Sequence, residues 1–179
     1  MICTKWVCAL LAAIALVLVS GWTAAEAQLA KSGSYTVYYA WHGKGERITA
    51  EKGQFVLGGT SAHGVLINKT GEGFLHQAPT DCAAGFKSVR GVAEVTGYCG
   101  SVDKDGDRIF MKWVCSNNAE GWCVGEFDWI DGTGKYQGIS GKNTLRYKTF
   151  GSRTGADTTH GTPFENEGYG IWEGSWRLP

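Results

Sequence analysis

Apolar and polar side chains alternate with a period of two through residues 82–130, and this pattern constrains the fold more than any other feature. Successive side chains of a β-strand point to opposite faces, so a strand with this pattern has one apolar face and one polar face. Glycine interrupts the pattern every few residues, and no long segment shows the 3.6-residue period of a helix. The sequence therefore predicts short antiparallel strands joined by tight turns.

Cysteines are the second constraint on the chain. Four lie beyond residue 27: Cys82, Cys99, Cys115 and Cys123. An even number of cysteines in an exported chain indicates disulfides, and the close C-x2-C pairs of a zinc site are absent. Four cysteines allow three pairings, and the strand pattern favours the one in which each of the two disulfides closes one hairpin.

The first hairpin is predicted by pairing Cys82 with Cys99. This pairing puts Lys87 opposite Glu94 on one face, and it puts a two-residue turn at 90–91. Glycine at position 91 suits the positive φ that such turns require. The apolar pairs Phe86–Val95 and Val89–Val92 complete the register.

The second hairpin is predicted by placing Cys115 directly opposite Cys123. Lys112 then faces Glu126, an opposite-charge pair in register. The apolar pairs on the disulfide side are Met111–Phe127 and Ile109–Trp129. A three-residue loop around Gly106 joins the two hairpins, so that residues 82–130 form a meander of four strands.

The two faces of this meander differ in character. The inner face carries Phe86, Val95, Met111, Trp113, Phe127 and Trp129, and the outer face carries Lys87, Glu94, Lys112 and Glu126. One dry and one wet face is usual for an antiparallel sheet.

Further strands are predicted at 35–41, 64–68, 73–76, 142–150 and 169–176, with a long polar loop over 151–168. About eight strands with one apolar face suit a closed barrel or a sandwich. Closure removes exposed strand edges, which favours the barrel. We predict an all-β fold: a small, closed, antiparallel β-barrel of about eight strands in up-and-down order, with two hairpin disulfides.

The first 27 residues have the pattern of a cleaved signal peptide. Lys5 precedes an unbroken apolar run over residues 9–19, and Ala25-Glu26-Ala27 offers a cleavage site. A membrane-spanning helix needs about 20 apolar residues, so the run is too short to be an anchor. We expect residues 28–179 to form one domain in the periplasm or outside the cell, with no membrane span in the mature form.

Four segments resemble a known group of proteins: GYC at 97–99, DKDGD at 103–107, GTGKYQGISG at 132–141 and WEGSW at 172–176. They resemble uncharacterised secreted bacterial proteins whose fold is similar to the eight-stranded barrel of allene oxide cyclases and dirigent proteins. The resemblance covers roughly residues 82–179 and implies a barrel. It transfers no catalytic residue, because no residue set here matches the sites of those proteins.

Chemical motifs give little direction. The chain has 17 basic and 17 acidic residues, and this neutrality argues against a nucleic-acid partner. Asp103, Asp105 and Asp107 suggest calcium, but the glycine and glutamate positions of an EF-hand loop do not match. The four histidines lie on separate segments, and no catalytic motif, metal site or cofactor is predicted.

Three functions remain open at this stage. The first is a barrel that binds a small hydrophobic or aromatic ligand, lined by Met111, Trp113, Phe127, Trp129 and His76. The second is a structural or interaction protein with a filled core that recognises partners through loop 151–168. The third is an enzyme of cyclase or isomerase type, which rests on fold analogy alone. Eight-stranded barrels are just wide enough for packed side chains or one small ligand, so both filled and open interiors fit the sequence.

Overall fold

The computed structural model describes residues 29–156 and 161–179 of the chain. Within them, eight strands follow one another: β1 Ser32–Ala50, β2 Phe55–Asn68, β3 Ala78–Val89, β4 Val92–Val102, β5 Arg108–Asn117, β6 Cys123–Gly132, β7 Asn143–Thr154 and β8 Thr162–Arg177. Two short 3-10 turns, Glu51–Gly53 and Gly134–Tyr136, lie between strands. The proposed signal segment 1–27 lies outside the described residues.

The strands form a closed antiparallel barrel in which each strand pairs with its neighbours in sequence and β8 pairs with β1. This confirms the predicted all-β, up-and-down barrel. Both predicted disulfides, Cys82–Cys99 and Cys115–Cys123, are formed. Among the described residues, no helix has the length and apolar character needed to cross a membrane.

The register of the first hairpin is as predicted. Cys82 is opposite Cys99, and Lys87 is opposite Glu94. The Lys87 Nζ lies 2.8 Å from Glu94 Oε2 on the outer surface. Arg90 and Gly91 both have positive φ, as a two-residue hairpin turn requires.

The predicted register of the second hairpin is wrong by two residues. Cys115 is opposite Gly125, and Cys123 is opposite Asn117, so the disulfide links residues that are not directly paired. Lys112 faces Asp128 in place of Glu126. A shift of two keeps every side chain on its predicted face, and the inner and outer residue sets are therefore confirmed.

Two local predictions are also wrong. Residues 73–76 form a turn between β2 and β3, and not a strand. Leu75 and Gln77, in or beside that turn, have positive φ, which breaks the extended backbone. The predicted loop 151–168 is largely β-structure, because β7 continues to Thr154 and β8 begins at Thr162.

One end of the barrel is closed by side chains. Phe74, in the connection between β2 and β3, stacks on Trp176 with 4.4 Å between ring centroids and 2° between planes. Phe74 also contacts Tyr35, Trp129 and Tyr136. The Asn68 side-chain amide donates a hydrogen bond of 2.8 Å to the Phe74 carbonyl and fixes this connection.

The closed end also holds both ends of the domain. The Leu178 backbone N–H donates to the Lys31 carbonyl at 2.7 Å, and the Trp176 indole donates to the Ala30 carbonyl at 3.2 Å. Residues just before β1 and just after β8 therefore lie side by side at the closed end of the barrel.

Candidate functional site: an aromatic cavity

A cavity of about 290 Å³ occupies the barrel interior above the closed end. Its deeper part is lined by buried side chains, including Tyr39, Met111 and Trp172. At the opposite end the lining includes Thr149 and Ser152, which are exposed, so the cavity reaches solvent there. The lower end of the range for small-molecule pockets is roughly 300 Å³, so this cavity has the volume of the smallest pockets of that kind.

Aromatic rings form much of the cavity wall: Trp41, Phe86, Trp113, Tyr147, Phe164 and Trp172. Tyr147 lies between two indoles, with ring centroids 6.2 Å from Trp41 and 5.8 Å from Trp113, both in edge-on geometry. Edge-to-face pairs of this kind stabilise one another and hold the rings in defined orientations.

Glycine on a neighbouring strand makes room for several of these rings. A Cβ placed on Gly97 would lie 2.5 Å from ring carbons of Trp113, closer than side-chain carbons approach one another in proteins. The same relation holds for other paired positions across strands: Trp41 with Gly168, Phe86 with Gly58 and Phe164 with Gly45. Each ring occupies the place of a missing side chain and is held against the wall, away from the barrel axis.

Polar groups in the lining are few. They comprise Arg47, Thr60, Thr149, Ser152 and Asn166, together with the hydroxyls of Tyr39 and Tyr147. The Tyr39 hydroxyl donates to the Thr80 carbonyl at 3.2 Å. Burial raises the pKa of Tyr147 to about 12 and also raises the pKa of Tyr39, so both phenols keep their protons at neutral pH.

Two further polar atoms of the lining are buried. Trp113 Nε1 and Asn166 Oδ1 have no hydrogen-bond partner within the part of the chain that the structure describes. Leaving a buried polar group unpaired costs about 1–3 kcal/mol, so such groups in a native structure are few. Both atoms belong to residues that line the cavity.

The five residues predicted from sequence to line a ligand site separate into three places. Met111 and Trp113 line the cavity. Phe127 and Trp129 are buried deeper, in contact with one another at 5.0 Å between centroids, and Phe127 also packs on Trp172. His76 lies in the turn at the closed end, where its Nδ1 is buried without a hydrogen-bond partner among the described residues.

The sequence interpretation missed Trp41, Arg47, Tyr147 and Trp172 as cavity residues. Arg47 and Trp41 share the inward parity of Tyr35 in β1, so the period-two pattern contains the necessary signal. The predicted strand ends at Trp41, because Gly43 and Gly45 beyond it resemble a turn in sequence, and Arg47 therefore lies outside it.

The acidic run at 103–107 is part of the closed end and not of the cavity. The Lys135 Nζ lies 2.5 Å from Asp103 Oδ2 and also contacts Asp105, so an ammonium group offsets part of the negative charge of this loop. In residues 29–156 and 161–179, no three His, Cys, Asp or Glu side chains are grouped as metal ligands.

No protein-family model matches this sequence, and no curated protein sequence is significantly similar to it. The chain is similar to the solved structure of a pterocarpan synthase dirigent protein. The two share 13% sequence identity with a TM-score of 0.36, over 81% of this chain and 87% of that chain. This likeness concerns the fold alone.

Proposed function

We propose that this protein binds a small, ring-bearing hydrophobic molecule inside the open end of its barrel. The observation that carries the proposal is the cavity of about 290 Å³, walled by aromatic rings and open to solvent at one end. Rings held against the wall offer flat apolar surface, and burying such surface contributes about 25 cal/mol per Å². The unpaired indole N–H of Trp113 and amide oxygen of Asn166 supply polar groups of the kind that orient a ligand.

We further propose that the protein acts outside the cytoplasm, after removal of residues 1–27. The two disulfides support this, because disulfides persist in oxidising compartments and are rare in the cytosol. Amino-terminal sequencing of the protein from its own host tests the cleavage. A mature chain that starts at Gln28 is the expected result, and an intact chain retained in the cytoplasm would contradict it.

Filling the cavity is the direct test of binding. Ala84 lines the cavity on β3, whereas the adjacent Ala83 points outward and is exposed. Ala84→Leu adds apolar volume inside the barrel, and Ala83→Leu adds the same volume outside. With uncharged 2-naphthamide as the probe, titration calorimetry is expected to show binding to the wild type and to Ala83→Leu, and at least a tenfold loss for Ala84→Leu.

A second pair of variants tests the aromatic wall. Trp113→Ala removes a ring of the cavity, and Lys112→Ala changes the neighbouring outward residue on β5. The affinity for the probe should fall for Trp113→Ala and stay within twofold for Lys112→Ala. Equal effects of the two substitutions would contradict an internal site.

Native mass spectrometry of the protein purified from its own host identifies the natural ligand class. A discrete small mass that is retained by the folded protein and released on denaturation is the expected result. A bare protein mass, together with no binding of the naphthalene probe, would favour a filled core and overturn the proposal.

A further inference from the structure

The polar side chains of the cavity are concentrated on one side of it, where they are interspersed with apolar residues such as Phe164 and Trp172. Its hydroxyl, amide and guanidinium groups come from four consecutive strands, β7, β8, β1 and β2, through Thr149, Ser152, Asn166, Arg47 and Thr60. The facing strands β3, β4 and β5 contribute Ala84, Phe86, Val95, Met111 and Trp113. A ligand that fits both sides has a polar edge as well as an apolar ring.

Arg47 is the one charged residue among the described residues that line the cavity. It lies near the end of β1, with the inward parity of Tyr39 and Trp41 on the same strand, and its paired neighbours are Gly58 and Thr162. Its half-buried side chain donates to Thr154 at the end of β7, which places the guanidinium at the cavity mouth.

The guanidinium of Arg47 has spare hydrogen-bonding capacity. Its Nη2 donates to Thr154 Oγ1 at 3.2 Å, and an arginine side chain has five N–H donors in total. Within the described residues, no carboxylate lies at ion-pair distance from it: Glu165, on the adjacent strand, points outward and is bound to Lys44 at 3.1 Å. Among the described residues, therefore, no acidic side chain pairs with the charge of Arg47 at the cavity entrance.

We propose that the ligand is a small aromatic acid, whose ring lies against the apolar wall and whose carboxylate is bound by Arg47 at the mouth. This rests on the proposed function and specifies its ligand class. A guanidinium forks onto a carboxylate with two parallel hydrogen bonds, which gives both orientation and strength. Surrounding apolar side chains lower the local dielectric constant and strengthen that attraction relative to water.

The test compares two probes of nearly equal shape, 2-naphthoate and its uncharged amide 2-naphthamide, by titration calorimetry at neutral pH. The mature wild-type protein is expected to bind the carboxylate at least tenfold more tightly than the amide. Arg47→Gln should abolish this preference by lowering the affinity for the carboxylate to within twofold of that for the amide. Lys44→Gln is the matched control, because it removes an outward-facing cation from the same strand, and it should keep the preference.

The outcomes separate this inference from the function on which it rests. Equal wild-type affinities for the two probes, or a preference that survives in Arg47→Gln, would overturn the assignment to aromatic acids and leave ring binding intact. Absence of binding by both probes would overturn both proposals. Circular dichroism of Arg47→Gln and Lys44→Gln confirms that each variant is folded before the affinities are compared.

Discussion

The Trp113 ring lies against Gly97 of the neighbouring strand. It occupies the space that a side chain at position 97 would fill. The two residues are directly paired between β4 and β5, and a Cβ on Gly97 would lie 2.5 Å from the indole carbons. The width of the cavity therefore depends on the absence of a side chain at position 97.

Gly97→Ala is expected to push the Trp113 ring towards the barrel axis. Overpacking of this kind costs about 1–3 kcal/mol of unfolding free energy, and the displaced indole should also weaken naphthamide binding. Chemical denaturation and calorimetry measure the two effects. Gly85→Ala is the control, because the nearest atom to its Cβ would be 3.9 Å away. An unchanged affinity in Gly97→Ala would show that the ring does not limit the cavity.

Removal of the Cys82–Cys99 disulfide is expected to lower stability substantially. The crosslink spans a sequence separation of 17, for which the chain-entropy model gives about 3 kcal/mol. Replacing both cysteines with alanine should shift the denaturation midpoint accordingly. Cys82 also lines the cavity, so the double variant should bind a bulkier ring, such as anthracene-2-carboxamide, better than the wild type does. The Cys115→Ala/Cys123→Ala variant, which changes no cavity-lining residue, should lose stability without that gain.

Stability should fall in acid through Asp103. Burial alone would raise the pKa of this carboxyl, but hydrogen bonds from the Lys135 ammonium, the Asp105 backbone and the Tyr136 hydroxyl outweigh burial and hold the pKa below its usual range. A depressed folded-state pKa contributes stability above the unfolded value of about 3.9, and this contribution is lost as the pH falls through the folded-state value.

Lys135→Met tests this contribution. It leaves the buried Asp103 carboxylate without its cation, which should cost about 1–3 kcal/mol at neutral pH and make stability less dependent on pH below about 4. Denaturation series from pH 2 to pH 7 provide the measurement. Lys104→Met, which changes an exposed lysine of the same loop, should behave like the wild type, and an identical acid profile for both variants would contradict the assigned pair.

Phe74→Ala should destabilise the closed end of the barrel and leave the open end of the cavity unchanged. Phe74 is 3% exposed and stacked on Trp176, and truncation of a buried phenylalanine costs about 3–5 kcal/mol. Thermal unfolding measures the loss, with the exposed Glu72→Ala in the same connection as the reference. The affinity for naphthamide should change less than threefold at a temperature where the variant is folded. A larger change would mean that the two ends of the barrel are energetically coupled.

The sequence was most informative where a short turn fixes the pairing. The two-residue turn at Arg90 and Gly91 allows one register for its hairpin, and that prediction is confirmed. The loop between Cys115 and Cys123 imposes no such limit, because a disulfide can also join residues that are diagonal across two strands. Lys112 finds an acid in either register, Glu126 or Asp128, so charge pairing could not distinguish them.

The glycines of β1 and β2 concealed the part of the site that these two strands contribute. In sequence, Gly43, Gly45 and Gly58 resemble turns, and the strands were therefore predicted to be short. Their role depends on side chains of neighbouring strands that are remote in sequence, such as Phe86 over Gly58, which no local pattern reports. Arg47 lies beyond the predicted strand 35–41 and consequently went unrecognised, although it has the parity of an inward residue.

Lys31 is hydrogen-bonded to both Leu178 and Pro179, and these contacts determine where the molecule can be tethered. The Lys31 ammonium donates to the Pro179 carbonyl at 2.8 Å, on the face that Phe74 closes. A linker, tag or solid support joined after Pro179 is attached at the closed end of the barrel, away from the cavity mouth. Immobilisation through that residue on a sensor surface would orient the protein with its cavity mouth towards the solution.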